Sequence, residues 1–275
     1  MKLDAHQHFW NYNPSEYGWI SEDMGGLRRD FTPRDLADAQ APIGFDGSIA
    51  VQARMTLEET RWLLELSDNC DRIKGVVGYV ELCSPAAGEQ IDRFKEHPKC
   101  VGFRHVVHDE PDDNFMLRKD FRRGLRELSD RSLVYDLLLF EKHLPVALEI
   151  VREFPNLRFV LDHISKPLIK DGILTPWEAN ICELARCENV TCKLSGMVTE
   201  ADWAAWTPNE LRPYLDVVLE AFGPKRMMIG SDWPVCLVAD TYDRVMKVVI
   251  DYVSELSPDE QARILGGTCR EVYGI

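Results

Sequence analysis

The chain has 275 residues, 45% of them hydrophobic, which supplies a substantial core and gives no sign of disorder. Its 32 basic and 46 acidic residues leave a net charge of −14, which argues against non-specific nucleic-acid binding and against docking on anionic membranes. No uninterrupted apolar run is long enough to span a bilayer, and Met1-Lys-Leu-Asp-Ala-His puts polar groups where a signal peptide carries its apolar stretch, so a cytoplasmic location is expected.

The first apolar run, Met1 to Trp10, contains His6-Gln7-His8. As a strand it alternates faces, with Asp4, His6 and His8 on one and Leu3, Ala5 and Gln7 on the other. Two imidazoles on one face can grip a metal ion or a substrate oxygen, and the motif alone reads equally well as two loop histidines. A stretch rich in aromatics, glycine and charge follows, residues 10–30. Phe45–Val51 reads as a strand. Thr56–Cys70 reads as a helix with Thr56 as N-cap and Glu59 completing a capping box. Ile73–Leu82 is a strand, and Ser84 caps a helix running to about His97. Cys100–Val107 is a strand, Asn114–Asp130 a helix, Leu133–Phe140 a buried strand and Glu141–Phe154 a helix. Arg158–His163 is a strand, and Thr175-Pro176 starts a helix with proline at its first position. Asn189–Ser195 is a strand, Thr207-Pro208 repeats the helix start, and Arg226–Ser231 is a strand. Helices over Tyr242–Leu256 and Ser257–Leu265 close the chain.

Such alternation implies parallel strands with right-handed crossovers, and about eight units in one domain of this size imply an α/β fold, a distorted (β/α)₈ TIM barrel. No Gly-x-Gly-x-x-Gly follows the first strand, so no nucleotide cofactor is expected. On a barrel the 10–30 insertion would cap the catalytic mouth. The eight cysteines form no Cys-x-x-Cys pair. Cys182 falls in a helix and Cys192 in a strand, so with Cys187 they read as structural thiols rather than a metal site.

Barrel enzymes carry their chemistry at the carboxyl ends of the strands. The strand ends here offer His6 and His8; Gln52 and Arg54; Glu81; Arg104, His105 and His108; Asp162-His163 with Ser165-Lys166-Pro167; Lys193 and Ser195-Gly196; and Gly230-Ser231-Asp232-Trp233-Pro234. Polar groups gathered at the ends of otherwise apolar runs point to an enzyme. On the seventh strand Thr191, Lys193 and Ser195 share the face opposite Val190, Cys192 and Leu194. Lys193 should therefore point into the barrel, where a lysine is costly unless paired with an acid or a substrate. His108 and His143 read as surface histidines. Glu81 and Asp136 are left as buried-partner candidates without a role.

His6-x-His8, Gly102-Phe-Arg-His105, Leu161-Asp-His-Ile-Ser-Lys-Pro167, Lys193-Leu-Ser-Gly196 and Gly230-Ser-Asp-Trp-Pro234 run in order along nearly the whole chain. Together they resemble the amidohydrolase superfamily, and within it the amidohydrolase-2 branch of L-fuconolactonase-like and L-rhamnonolactonase-like sugar lactonases. The resemblance implies hydrolysis of a ring ester. It matches His6 and His8 to the first-strand metal pair, His163 to a later-strand histidine, and Asp232 to the aspartate that ligates metal or activates water. The fourth strand carries Arg104-His105 where a bridging lysine or glutamate would stand, so the resemblance implies at most one divalent ion, zinc, on His6, His8 and Asp232 rather than a two-metal centre. Relatives of this branch also look able to work without metal.

The mechanism that fits is opening of a sugar lactone, L-fuconolactone or a similar deoxysugar lactone. Asp232 takes a proton from water. Arg104, His163 or zinc polarises the carbonyl. His105, Lys193 and Gln52 are the expected polar contacts to substrate, and Trp10 and Trp233 the apolar ones. Three rivals share parts of this pattern: a metal-dependent decarboxylase of the same superfamily, a hydrolase of a muconolactone- or pyrone-type lactone, and a non-catalytic sugar-acid-binding protein. Nothing in the pattern selects between a monomer and a homo-oligomer.

Overall fold

Eight parallel strands pair strictly in sequence order in the computed structural model, which describes residues 1–275. They are β1 (Leu3–Gln7), β2 (Gly47–Val51), β3 (Ile73–Gly78), β4 (Cys100–Val106), β5 (Val134–Leu138), β6 (Arg158–Leu161), β7 (Val190–Leu194) and β8 (Met227–Ile229). Between and after them come α1 (Pro33–Gln40), α2 (Leu57–Asp68), α3 (Ala87–Lys95), α4 (Lys119–Asp130), α5 (Leu144–Glu153), α6 (Trp177–Ala185), α7 (Pro208–Phe222), α8 (Tyr242–Val253), α9 (Pro258–Ala262) and α10 (Thr268–Tyr273). The eighth strand returns to the first through the turn that follows it. His8 N donates to Trp233 O (2.6 Å), and Asp232 N donates to His6 O (2.8 Å). This closes the (β/α)₈ barrel and brings His6, His8 and Asp232 together in one step.

An inner apolar cluster fills the lower barrel, with Leu3, Ala5, Ile49, Val77, Val160 and Met228 meeting on the axis. Cys269 and Tyr273 of α10 seal it from beneath. A larger outer cluster packs the other strand faces against the helices. The inner layer is mainly branched side chains and the outer one adds many aromatics, which leaves the strand ends to the polar groups of the site.

The expected elements recur, shorter at their ends. β3 stops at Gly78 rather than Leu82, and β6 at Leu161 rather than His163. The helix expected from Asn114 begins at Lys119, after a separate turn at Phe115–Leu117. Thr56 caps α2 as read, accepting from Glu59 N (3.2 Å). The Glu59 carboxylate does not complete the box, because it accepts instead from the backbone of Ala53 (2.5 Å) and Arg54 (3.1 Å). At α7 the box is complete, with Thr207 N donating to Glu210 (2.7 Å). Helices α1 and α10 lie outside the expected set. Thr32 and Asp35 form a capping box at the start of α1, a signal present in the sequence. Cys182 lies on α6 and Cys192 on β7, as read. No helix is long and apolar enough to cross a membrane.

Candidate active site

The centre of the site is set by three departures from ideal strand geometry. The first is a register slip in β1 between Asp4 and Gln7. Asp4 turns toward α8, accepting from Ser231 N (2.9 Å), Ser231 Oγ (2.6 Å) and Tyr242 Oη (3.1 Å). It also accepts from His6 N (3.1 Å), a short loop that re-aims the next residues. His6 and His8 therefore face the barrel axis while Asp4 does not, which corrects the single face expected for the three. Burial pushes the Asp4 carboxyl up to about 6.

The second departure follows β6. His163, Ile164, Ser165 and Lys166 all have positive φ, between 45° and 63°. Strand alternation alone would send His163 outward with Phe159 and Leu161. The left-handed turn swings it back over the axis, and Ser195 Oγ holds its Nδ1 at 2.9 Å. The third is Asp232, also left-handed at φ 58°. Such conformations are unfavourable for residues with a Cβ and concentrate where a site requires them.

Four side chains converge as a result. His6 and His8 bring their Nε2 atoms to 3.2 Å from one another. Asp232 Oδ1 lies 3.3 Å from His8 Nε2 and 3.8 Å from both His6 Nε2 and His163 Nε2. We assign the proton of each ring to its outer nitrogen, at His6 with Lys193 Nζ also 3.3 Å from Nδ1. His8 Nδ1 donates to Val51 O (2.8 Å), and His6 Nδ1 faces Asp162 Oδ1 (3.2 Å). Each leaves an Nε2 lone pair directed at the centre. Burial drives the imidazoles of His6 and His163 well below the usual histidine range, so both are neutral at pH 7. For Asp232 burial pulls upward, but His163 and His8 beside it outweigh that and hold the carboxyl below its ordinary value.

This donor set fits one zinc ion. Tetrahedral zinc with bonds of about 2.0–2.1 Å holds its ligand atoms roughly 3.3 Å apart, and the three separations among His6, His8 and Asp232 are 3.2, 3.3 and 3.8 Å. Two imidazole nitrogens and a carboxylate oxygen gathered at that range could hold a cation. Arg104 Nη1, 3.2 Å from His6 Nε2, reaches the same lone pair from the side.

Beneath the centre lies a buried ion network. Asp162 accepts from Arg104 Nη1 (3.0 Å) and pairs with Lys193 Nζ (2.9 Å). Lys193 also donates to Asp136 (2.5 Å), whose two oxygens accept from Tyr273 Oη at 3.0 and 2.8 Å. Burial opposes the charge of Asp162, yet Lys193, His6 and Arg104 together hold its carboxyl well below the usual range. Burial raises Asp136 to about 6 despite Lys193.

Above the centre opens a cavity of about 390 Å³. His8, Arg104, His163 and Asp232 form its floor, and Leu138, Phe140 and Trp203 stand on its walls. Trp19 and Met24, from the 10–30 segment, lie at its edge. The structure thus brings together Asp232, His163, Arg104, His6 and His8.

It does not bring the expected substrate contacts with them. His105 points to the outer layer, stacked on Phe115 at 4.8 Å and bonded to Glu110 at 2.7 Å. Lys193 is fully buried below the centre. Gln52 is buried beside β4, donating to Arg104 O (3.3 Å). Trp10 is sealed against Phe31, with Nε1 donating to Arg29 O (2.9 Å), and Trp233 packs edge-on to Phe31. At three of these positions a chain neighbour faces the cavity instead: Arg104 beside His105, Ala53 beside Gln52 and Asp232 beside Trp233. His108 is the converse case. It lines the cavity, stacked on Phe140 at 4.7 Å, and is no ordinary surface histidine. His143 is buried beneath Phe140. Asp136 is a buried partner inside the barrel, whereas Glu81 is exposed. Asp162 was legible as the inward alternate of Val160 on β6. Glu200 and Trp203 lie on a loop with no motif to mark them.

The Amidohydrolase family profile matches residues 3–275. The chain is 41% identical to an L-fucono-1,5-lactonase of Burkholderia multivorans (strain ATCC 17616 / 249), over 100% of this chain and 96% of that protein. It is 34% identical to an L-fucono-1,5-lactonase of Burkholderia ambifaria, again over 100% of this chain and 96% of that one. Among solved structures, an amidohydrolase from Burkholderia multivorans with bound zinc superposes with a TM-score of 0.97 at 41% identity. That match covers 100% of this chain and 99% of the other.

Proposed function

The chain belongs to the amidohydrolase family and is a hydrolase of sugar lactones, and we propose that its substrate is L-fucono-1,5-lactone or a closely similar deoxysugar lactone. The observation that carries the mechanism is Asp232 Oδ1, 3.3–3.8 Å from three imidazole nitrogens at the floor of the cavity. Asp232, held ionised by His163 and His8, is the general base that takes a proton from the attacking water. Arg104 and His163 donate to the lactone carbonyl and stabilise the oxyanion, a contribution of roughly 3 kcal/mol per well-placed donor. For this, Ser195 Oγ donates to His163 Nδ1, which leaves the proton on Nε2 facing the cavity.

His6, His8 and Asp232 would hold a zinc ion, which when bound polarises a carbonyl and acidifies water. Arg104 Nη1 sits at the same His6 lone pair and offers positive charge without the ion, which supports a metal that is dispensable. The 10–30 segment, through Trp19 and Met24, caps the mouth of a single domain. The reaction belongs in the cytoplasm.

A pH-indicator screen of aldonolactones, run with and without chelator, tests the reading. Acid release from L-fucono-1,5-lactone is expected, and no turnover of any sugar lactone overturns it. Activity that persists after chelation assigns the polarising role to Arg104 and His163.

A further inference from the structure

We propose that the ion pair Lys166–Glu200 on the cavity wall reads one ring hydroxyl of the substrate and so sets which sugar lactone the site accepts. The inference rests on the lactonase reading above and adds the residues that discriminate. Lys166 is the last residue of the left-handed turn that carries His163. Three bonds clamp that turn: Lys166 N donates to His163 O (2.8 Å), Trp177 Nε1 to Ile164 O (2.7 Å), and Ser165 Oγ to Phe140 O (3.3 Å). Four successive side chains in an unfavourable backbone region persist only where the surroundings fix them, and such turns gather at functional sites. His163 explains the first of the four. Lys166 explains the last, because the same rigid turn carries its ammonium to the cavity wall.

Its partner comes from a different loop. Glu200 ends the short turn Val198–Glu200 after β7, and Lys166 Nζ donates to its Oε1 at 2.6 Å. Glu200 O accepts from Lys170 N (2.9 Å), tying the two loops together. The side chains keep 14% and 22% exposure, so the pair borders the cavity rather than being sealed from it. An ion pair this open to solvent contributes little to stability, and the fold alone does not account for it.

The unused bonding capacity describes the ligand. The ammonium has three N–H groups and gives one to Glu200, while Glu200 Oε2 has no protein partner. A free donor and a free acceptor thus stand side by side, the complement of a hydroxyl, which both donates and accepts. The pair carries no net charge, so a neutral ring is not disfavoured. Leu138, Phe140 and Trp203 line the same cavity and suit the C–H faces and methyl of a deoxysugar.

The test compares kcat/KM of the native enzyme, Lys166→Met and Glu200→Gln on L-fucono-1,5-lactone and its 2-, 3- and 4-deoxy analogues. In the native enzyme, removal of one particular hydroxyl should cost about 10- to 100-fold, the range of a hydrogen bond to a charged group. In either variant the parent lactone should lose a similar factor, and removal of that same hydroxyl should then cost almost nothing. Losses that simply add at all three positions overturn the proposal. A second arm measures calorimetric binding of 1,5-anhydro-L-fucitol, the same ring without the carbonyl, to the native chain and to Lys166→Met. Weaker binding by the variant is expected, and equal or absent binding overturns the proposal. This arm decides the question even if the native enzyme opens no lactone, an outcome that would defeat only the lactonase reading. If Lys166→Met loses its melting transition, Glu200→Gln carries both comparisons.

Discussion

Asp232 and Lys193 are both buried charges at strand ends, yet they carry opposite kinds of consequence. Asp232 borders the cavity and has only imidazoles against its Oδ1. Asp232→Asn keeps the shape and removes the base. Its kcat should fall about 10²–10⁴-fold while affinity for the ring stays within a few-fold; steady-state kinetics paired with equilibrium binding checks this, and undiminished turnover would remove Asp232 from the mechanism. Lys193 touches no cavity surface and neutralises Asp136 and Asp162. Lys193→Met leaves Asp136 without a cation and Asp162 with Arg104 alone, and breaking such a buried pair costs about 3–5 kcal/mol. Urea unfolding reads that loss. A variant of native stability with only a raised KM would instead return Lys193 to the role of substrate contact.

At the scale of elements, the sequence made the alternation of strands and helices legible because dry, branched runs recur between capped helices. The inward face of β7 was legible too, since Thr191, Lys193 and Ser195 follow strict alternation. Where alternation breaks, the reading broke with it. No periodicity reveals that Asp4 would bond back to His6 N and slip the register of β1. Nor does it reveal that the residues after Leu161 would turn left-handed and bring His163 and Lys166 to one cavity. His105 failed as a site residue for the same reason: the register of β4 slips against β3 near Gly102, so Val101 and Arg104 both take the inward face and His105 the outward one. Gly196 shows how closely these turns depend on one another. It has φ +63°, and a Cβ added there would lie 2.5 Å from His163 Nδ1 and 2.6 Å from its Cγ. Gly196→Ala should therefore push the imidazole off Ser195 and out of line with Asp232. A misplacement of this size should lower kcat about 10²-fold, with only about 1–2 kcal/mol lost in stability from the backbone itself. Unchanged kcat in a folded Gly196→Ala would mean that the position of His163 does not govern the rate.

Across the whole molecule, the charges that the barrel buries should control its response to acid. Burial holds four imidazoles below their ordinary value: His6, His163, His105, and His108, which is pushed down to about 3. All four are neutral in the folded chain, whereas in the unfolded chain each takes up a proton near pH 6.5. Their contribution to stability is therefore complete above that pH and is lost as the pH falls below it, by at most about 1.4 kcal/mol per group per pH unit. Asp4 and Asp136 act in the other direction. Burial raises both to about 6, so the folded chain binds their protons first, and their contribution grows as the pH falls from about 6 toward 4. Four groups lose stability against two that gain it, so the net change remains downward. Asp162 and Asp232, held below the ordinary range by their cationic and imidazole neighbours, add a further loss below about pH 4. The melting temperature of chelator-treated protein should thus be flat between about pH 7 and 8, fall most clearly just below 6.5, fall more gently between 6 and 4, and steepen again below 4. A melting temperature that rose between pH 7 and pH 5 would contradict neutral imidazoles at the floor of the cavity, and with them the tautomers on which the zinc-ligand geometry depends.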